Sequence, residues 1–323
     1  MVVTFSASQS SGGLRHINPN KDFPQLVELL RVVFGQELKD DGQLFGNAQS
    51  SQNPAFLWRF DPQLARLSPG FVWEIDNRII GNVTLLPSRP YGRFLVANVA
   101  VHHDYRRQGY ARLLMNAAVQ DVRDRHGREI LLQVVHDNER AISLYRSMGF
   151  DCLGSMTTWQ TSVSRIRDLP IGEQRIKVQP LHMRRWQEAY QLDCQALDPD
   201  LNWPEPQRAD YYKTGLWRRF FGFMNANSAH TFVTLDNDSQ LSGLTTVHSE
   251  WGRPHQITVR IHPSRQGQLE LPLLNSAIKR VRNLARRNIR LIHNADDQAM
   301  NQLLPSANFG RQRTLTHMRL KLA

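Results

Sequence analysis

The chain has 323 residues, of which 41% are hydrophobic and 21% are charged, a composition typical of folded globular protein and not of a disordered chain. The net charge of +11 favours anionic partners such as phosphates, and no apolar run is long enough to span a bilayer, so we expect no membrane partner. The N-terminus lacks the basic start and apolar centre of a secretory signal. The two cysteines, Cys152 and Cys194, have no metal-ligand spacing, so we expect no disulfide, no metal and a cytoplasmic location.

The first elements along the chain contain few candidate catalytic or ligand-binding residues. Residues 1–13 are rich in serine and glycine and predict a flexible tail. A helical pattern runs from Pro24 to Phe34, and the segment Gly35–Gly42 after it is interpreted as a loop. The acidic residues of this loop could receive a cationic amine, although a solvated loop is the simpler interpretation: Glu37, Asp40 and Asp41.

A strand, a basic turn and a helix then follow one another. The apolar run Val96–Val101 predicts a strand, and after the turn apolar residues recur at helical spacing from Leu114 to Val122. The turn holds Arg106, Arg107, Gln108, Gly109, Tyr110 and Ala111. A strand that turns through small residues into a helix presents free backbone N–H groups and the positive end of the helix dipole, which suits a pyrophosphate. The alternative is a basic turn on the surface.

Two motifs carry a resemblance to a known family. The Lys-Ser/Thr ending of a Walker loop and the spaced glycines of a dinucleotide-binding turn are both absent. Instead, Arg106-x-x-Gly109-x-Ala111 after a Val-x-Val strand resembles the acetyl-CoA loop of the GNAT (Gcn5-related) N-acetyltransferases. The segment Asn138–Phe150 looks like the closing pattern of that family, N-x-x-A-x-x-L-Y-x-x-x-G-F, and a predicted strand, Ile130–Val135, lies between the two.

The resemblance implies a role for each matching residue. The 106–111 turn would bind the pyrophosphate of acetyl-CoA, and the backbone of Val99 and Val101 would pair with the pantetheine arm on a strand that splays from its neighbour. Tyr145 would be the general acid that protonates the thiolate, because its ordinary pKa near 10 keeps it protonated at neutral pH. Asn138 would hydrogen-bond the pantetheine arm. Simpler interpretations stay open: core packing for the valines, packing beside Phe150 for Tyr145, and a helix N-cap for Asn138.

The sequence departs from the family pattern at the general base. Many relatives carry a carboxylate or histidine on the strand before Val99, whereas Phe94–Asn98 has no such group. An alkyl amine of pKa near 10.4 is neutral in only on the order of one molecule in a thousand at pH 7. Four residues are possible bases, although each has a simpler interpretation: Glu74, His102, His103 and His136. A less basic acceptor would remove the need for one.

The second half repeats the first at an offset of about 160 residues. Ile257–Pro263 mirrors Ala97–His103, Leu273 falls where Leu113 falls, and Met300–Phe309 lies like Ala141–Phe150. A polar segment, residues 163–174, reads as a linker. We therefore predict an α/β (α+β) protein with a GNAT domain at 14–162 and a degenerate GNAT-like domain at 175–323, each a mixed, mostly antiparallel sheet flanked by helices.

The second copy lacks the chemistry of the first. At this offset Leu269 takes the position of Gly109, and Glu270 adds a negative charge where a diphosphate would lie. Leu303 or Leu304 takes the position of Tyr145. We therefore expect one acetyl-CoA site, in the first half, with the second half as a structural partner or a wall of the acceptor site. The segment 201–206 could lean across the cleft between the domains.

The prediction is an N-acetyltransferase that moves acetyl from acetyl-CoA to a primary amine of an unidentified acceptor by direct attack, since neither cysteine lies in a nucleophile motif. An alternative is a non-catalytic acyl-CoA-binding or regulatory protein, which the missing base favours. A further alternative is a nucleic-acid-binding module, because a helical pattern in the second half carries a basic face: Lys279, Arg280, Arg282, Arg286 and Arg287. An exposed strand edge or the inter-domain face could serve for a homodimer.

Overall fold

The computed structural model describes residues 12–44, 70–88, 90–170, 176–202, 209, 212–213 and 227–322, with side chains as far as residue 35 in the first helix. Twelve strands lie in these ranges: β1 (Gly12–His16), β2 (Phe71–Ile75), β3 (Arg78–Ser88), β4 (Arg93–Val101), β5 (Glu129–Val135), β6 (Asp151–Ser162), β7 (Val178–Pro180), β8 (Asn227–Leu235), β9 (Leu241–Glu250), β10 (His255–Ile261), β11 (Asn288–Asn294) and β12 (Gly310–Lys321). Six α-helices accompany them: α1 (Pro19–Leu44), α2 (Tyr110–Asp124), α3 (Glu139–Ser147), α4 (Trp186–Ala196), α5 (Glu270–Arg282) and α6 (Gln298–Ser306).

The described strands form one continuous sheet in the order β1-β2-β3-β4-β5-β12-β6-β11-β10-β9-β8-β7. Only β4–β5 and β10–β11 pair in parallel, and the other neighbours are antiparallel. Each half therefore supplies a mixed, mostly antiparallel sheet with helices against it, which confirms the predicted fold class. The sheets of the two halves are joined edge to edge, which the sequence analysis did not predict.

The two halves exchange their last strands. β6 follows α3 in the first half, but it lies between β12 and β11, whereas β12 from the second half pairs with β5 of the first. The hydrophobic cores are exchanged in the same way. Met318 and Leu320 of β12 are buried in the core under α2, and Trp159 of β6 is buried in the core under α5. The predicted boundary at residue 162 therefore lies at the end of a strand that the sheet of the second half uses, and the exact boundaries stay a prediction.

One predicted local structure is wrong, and the segment predicted as a linker is packed against a core. Residues 35–42 continue helix α1, which kinks at Phe34 (φ −118°), because neither Gly35 nor the acidic residues after it stop the helix. The predicted linker is packed over its described part: Ile166 and Leu169 are buried in the second-half core, and the Val163 N–H donates to the Arg287 carbonyl. Apolar residues inside a polar segment bind it to the neighbouring core.

A buried charge network joins the halves on the sheet face opposite α2. Asp200, in a short 3-10 turn of the second half, accepts from Arg93 of β4 at 2.6 Å and from Arg319 of β12 at 2.6 Å. Arg93 also donates to Glu129 of β5 at 2.8 Å. Because removing one partner leaves an uncompensated buried charge, this network fixes the second half against strands β4 and β5.

His317 of β12 provides a pH test of this interface. It is 2% exposed, its Nε2 lies 2.9 Å from Gln133 Nε2, and burial lowers its pKa to about 4. The unfolded state, with a pKa near 6.5, binds the proton first, so stability is lost as pH falls from about 6.5 towards 4. We expect His317→Gln to reduce the loss of unfolding free energy between pH 6.5 and 4 by up to about 3 kcal/mol. Urea unfolding at several pH values measures this difference. An unchanged slope would contradict a buried neutral His317.

No helix in the described parts of the chain is both long and apolar enough to cross a membrane.

Candidate functional site

The site begins where strands β4 and β5 part. Their parallel pairing runs from Arg93 with Glu129 to Val96 with Leu132, and no further pair follows among the described residues. From Ala97 onward, the edge of β4 that faces β5 has no strand on it, and its backbone groups are available to an extended ligand. The structure therefore contains the splay that the resemblance implied for Val99 and Val101.

A β-bulge lies in β4 at this point. Between Ala97, which pairs with Thr84, and Ala100, which pairs with Asn82, β4 holds one extra residue, and Asn98 has a left-handed φ of +53°. Because the extra residue shifts the strand alternation, Phe94 and Val96 face the α2 core before the bulge, and Val99 and Val101 face it afterwards. The side chains of both valines pack in this core, so only their backbone is available for a ligand.

Asn82 of β3 holds the bulge. It is fully buried, and its amide nitrogen donates to the Asn98 carbonyl at 2.9 Å and to Thr84 Oγ1 at 3.3 Å. The sequence analysis missed both asparagines. The signal was an amide side chain within each of the apolar runs Ile79–Val83 and Phe94–Val101, since an amide that becomes buried, as Asn82 does, needs hydrogen-bond partners.

We expect Asn82→Leu to lower the free energy of unfolding by about 1–3 kcal/mol, because the carbonyl of the half-buried Asn98 loses its donor. The turnover rate of acetyl transfer should fall more than the affinity for acetyl-CoA. The reason is that the bulge orients the backbone amides at the point where β4 and β5 part. Urea unfolding, calorimetry and turnover assays measure the three quantities. Thr84→Val, which removes only the longer contact, is the control; a parallel fall of turnover and affinity would contradict an orienting role.

The 106–111 loop joins β4 to α2. A 3-10 turn (His103–Tyr105) leads into it, and Arg107 (φ +66°) and Gly109 (φ +87°) both have left-handed backbone. Gly109 is the N-cap of α2 and provides no side-chain cap. Among the described residues, the N–H groups of Gln108, Gly109, Tyr110 and Ala111 donate to no protein acceptor. Such amides at a helix N-terminus bind anions well.

Three arginines lie in this loop or in the first turn of α2. The Nε of Arg106 donates to the Val101 carbonyl at 3.1 Å, which ties the loop to the end of β4. Arg112 donates to Ser147 Oγ at 2.8 Å, which links α2 to α3. Arg107 is exposed beside them. This arrangement suits a phosphate that reaches the loop from solvent.

Tyr145 lies on α3 and is buried. Its ring centroid is 5.9 Å from that of Phe150, and burial raises the pKa of its hydroxyl above the usual range. The packing interpretation is therefore correct, and it is compatible with a hydroxyl that stays protonated. Asn138 is the N-cap of the same helix, and its Oδ1 accepts from the Ala141 N–H at 3.1 Å.

The four possible bases have other partners. Glu74 accepts from Arg15, which also binds Asp22, at the outer edge of the sheet. Burial lowers the pKa of His102, whose Nε2 lies 3.2 Å from an Arg78 nitrogen. His103 is exposed beside Asp104. His136 Nδ1 is 3.0 Å from Thr316 Oγ1 of the exchanged strand.

Comparisons with known proteins agree with this geometry. The profile of the acetyltransferase (GNAT) family matches residues 33–150. N-alpha-acetyltransferase 30 of Schizosaccharomyces pombe is 34% identical over 119 residues, which are 36% of this chain and 78% of that protein. The chain belongs to the GNAT acetyltransferase family.

Solved GNAT structures share the fold across both halves. A GCN5-related N-acetyltransferase from Sphaerobacter thermophilus superposes with a TM-score of 0.60 at 14% identity, covering 95% of each chain. The glucosamine N-acetyltransferase region of a fungal multi-domain GH3 beta-N-acetylglucosaminidase gives 0.57 at 11% identity, covering 97% of this chain and 38% of that one. At these identities the likeness concerns the fold alone.

The second GNAT-like half has a different loop. The buried faces of the helices place Leu273 opposite Leu114, not Leu113, so the offset there is one residue smaller than the sequence pattern predicted. The loop before α5 is correspondingly one residue shorter. Leu269 is buried in the second-half core with φ −107°, so its side chain lies away from the loop amides.

Glu270 occupies the anion position of this shorter loop. Its Oε1 accepts from the Gly267 N–H at 2.7 Å, and the residue is 1% exposed. A carboxylate of the protein thus binds a loop amide of the kind that is free in the first half. The same helix alignment settles the other open position: Leu304, fully buried on α6, lies where the first half has Tyr145.

The remaining residues singled out in the sequence either lie outside the described residues or have other partners. The side chains of Glu37, Asp40 and Asp41 lie outside the described residues, as do residues 203–206. His102, His103 and Asp104 place three potential metal-ligand atoms within 4.8 Å of one another, but the Arg78 guanidinium beside His102 disfavours a cation there. Several cations of the basic face are engaged: Arg280 contacts His230 at 2.6 Å, Arg282 pairs with Asp168 at 3.2 Å, and Arg287 donates to the Arg253 carbonyl.

Proposed function

We propose that this GNAT protein transfers the acetyl group of acetyl-CoA to a primary amine by direct attack, using one site in the first half. The observation that carries the proposal is the arrangement at the end of β4. An unpaired strand edge, a bulge and four free amides at a helix N-terminus follow one another over residues 97–111. The free amides suit the pyrophosphate, the unpaired strand edge suits the pantetheine arm, and the bulge suits the thioester.

Different residues of the first half bind acetyl-CoA, stabilise the reacting carbonyl and donate a proton. The amides of Gln108 to Ala111, with Arg106 and Arg107, bind the pyrophosphate, and the free edge of β4 hydrogen-bonds the pantetheine arm. Acetyl-CoA supplies an activated acyl group as its thioester. A backbone N–H beside the bulge stabilises the negative charge that develops on the carbonyl oxygen when the amine attacks. Tyr145 donates its proton to the sulfur as the carbon–sulfur bond breaks.

The acceptor that fits best is an α-amino group. Its pKa of about 7.7–8.0 leaves roughly one molecule in ten neutral at pH 7, whereas a lysine amine is neutral in on the order of one in a thousand. The four candidate bases are engaged or exposed elsewhere, so a site of this kind favours an amine that needs little help to lose its proton. The name of the yeast relative, N-alpha-acetyltransferase 30, agrees with this choice.

Two peptides of one sequence test the acceptor, one with a free N-terminus and no lysine, the other with a blocked N-terminus and one lysine. We expect turnover of the first at pH 7 and far slower turnover of the second. Tyr145→Phe should lower kcat by about 100-fold and leave acetyl-CoA affinity unchanged, since only the proton donor is removed. Preference for the lysine peptide would overturn the α-amino assignment. Acetyl-CoA binding without turnover of any amine would instead favour the non-catalytic alternative.

A further inference from the structure

Gln133 of β5 lies at the point where the sheet of the first half opens. Leu132 is the last residue of β5 that pairs with β4, through Val96, so Gln133 is the first residue beyond the parallel pairing. Leu132 and Val134 on either side of it are buried in the core under α2, so the Gln133 side chain lies on the opposite face of the sheet. Across the opening, β4 continues with Ala97 and the bulge, where the thioester is proposed to bind.

His317 of β12 holds the side-chain amide of Gln133. The two residues are directly paired across β5 and β12, and Gln133 Nε2 lies 2.9 Å from His317 Nε2. On the other side of the ring, His317 Nδ1 is 3.4 Å from the Asp200 carbonyl, which can only accept a hydrogen bond. The ring is buried and burial lowers its pKa to about 4, so it is neutral and carries one proton. That proton lies on Nδ1, and Nε2 therefore accepts from the Gln133 amide.

The carbonyl oxygen of Gln133 is the free end of this amide. Because the amide nitrogen is the group that donates to His317, the amide is held in one orientation. Within the part of the chain that the structure describes, Oε1 has no hydrogen-bond partner, and the half-buried side chain leaves this oxygen accessible to solvent. A ligand can therefore donate a hydrogen bond to it. An amide oxygen accepts such a bond without taking the proton, so it suits a neutral amine.

The second half lacks this pair of side chains. Its last parallel pair is Ile257 with Leu291, and the residue beyond it is Ile292, which is 39% exposed. Ile292 pairs with Thr158 of β6, the strand that there takes the place of β12. Isoleucine and threonine thus meet the packing needs of this position, whereas the glutamine held by a histidine occurs in the half whose loop amides are free. This distribution indicates ligand binding rather than strand pairing.

We propose that Gln133 binds the acceptor amine of the first half and that His317, from the exchanged strand, is the residue that positions Gln133. One N–H of the neutral amine donates to Gln133 Oε1, which leaves the nitrogen lone pair free to attack the thioester carbonyl. The inference rests on the proposed transfer reaction, because it names the residue that receives the amine of that reaction. It also gives the second half a part in the acceptor site.

Binding of the amine is measured without transfer, with coenzyme A in place of acetyl-CoA. Two probes of nearly equal size are titrated calorimetrically into the full chain at about pH 8, where roughly half of an α-amino group is neutral. They are trialanine amide and propionyl-dialanine amide, in which a hydrogen replaces the amino group. We expect wild type to bind the first about tenfold more tightly, the effect of one hydrogen bond. Gln133→Ile, which copies Ile292, should remove this preference and leave the affinity for coenzyme A unchanged.

Variants of His317 test its positioning role. His317→Thr copies Thr158 and removes the Nε2 acceptor, so the preference for trialanine amide should fall. His317→Gln should retain the preference, because its own Oε1 can accept from the Gln133 amide. Gln133→Ile combined with His317→Thr should lose no more than Gln133→Ile alone, since both changes act on one hydrogen bond. Additive losses in the double variant would refute the positioning role.

Equal affinity of wild type for the two probes, or an unchanged preference in Gln133→Ile, would overturn the inference. Tyr145→Phe separates it from the proposed reaction, since this variant should lose turnover and keep the preference for trialanine amide. A preference that depends on Gln133 in a wild-type chain without turnover would support the amine site and count against the transfer reaction alone.

Discussion

Replacing Gly109 by leucine is expected to abolish acetyl-CoA binding, where the wild-type chain binds one equivalent. Gly109 has φ +87°, and a Cβ there would meet no protein atom within 4 Å, so the new side chain clashes with nothing in the protein. It would stand in front of the free amides of the loop and exclude the pyrophosphate. The left-handed backbone adds strain of about 1–3 kcal/mol, which urea unfolding measures separately from calorimetric binding.

A matched control exists in the other half. Gly267 has φ +82°, and a Cβ there also meets nothing within 4 Å, so Gly267→Leu imposes similar strain on the second loop. We expect this variant to bind acetyl-CoA like wild type. Loss of binding in Gly267→Leu, or two sites per wild-type chain, would contradict the proposal that Glu270 closes the second loop. Absence of binding in wild type would refute the acetyl-CoA site itself.

Separating the halves is expected to destroy the first one. A fragment of residues 1–170 lacks β12, so β5 has an unpaired edge and the core under α2 loses Met318 and Leu320. We expect this fragment to show no cooperative unfolding as a monomer and no acetyl-CoA binding. Co-expression with residues 171–323 should restore both, measured by co-purification, thermal unfolding and calorimetry.

A point variant tests the same idea in the intact chain. Met318 is fully buried in the first-half core although it lies in the last strand of the chain. Met318→Ala should lower the free energy of unfolding by about 2–5 kcal/mol. A monomeric 1–170 fragment that binds acetyl-CoA with wild-type affinity would show that the exchanged strand is dispensable.

The local sequence was sufficient to predict the strand, turn and helix of the proposed acetyl-CoA site. The apolar run of β4, the basic turn with Gly109 and the helical spacing from Leu114 depend on neighbouring residues, and the structure contains each element where the pattern placed it. Asn138 caps its helix as residues of its type do at that position. The cytoplasmic location, a homodimer, the domain boundaries and the roles of the site residues stay predictions.

Packing between segments distant in sequence determined the strand exchange, the bulge and the structure of the second loop. The local sequence does not say whether β6 or β12 pairs with the edge of β5. Both are twelve-residue strands that follow a short helix. Their exchange is fixed only by side chains distant in sequence, such as Met318 under α2 and Trp159 under α5. The bulge at Asn98 likewise depends on a hydrogen bond from Asn82 of another strand. In the second half, the Glu270 carboxylate accepts from the Gly267 amide, so that amide is not free to bind a phosphate. Residue types thus determined the elements and the family, whereas contacts between distant segments determined how the two halves share one sheet.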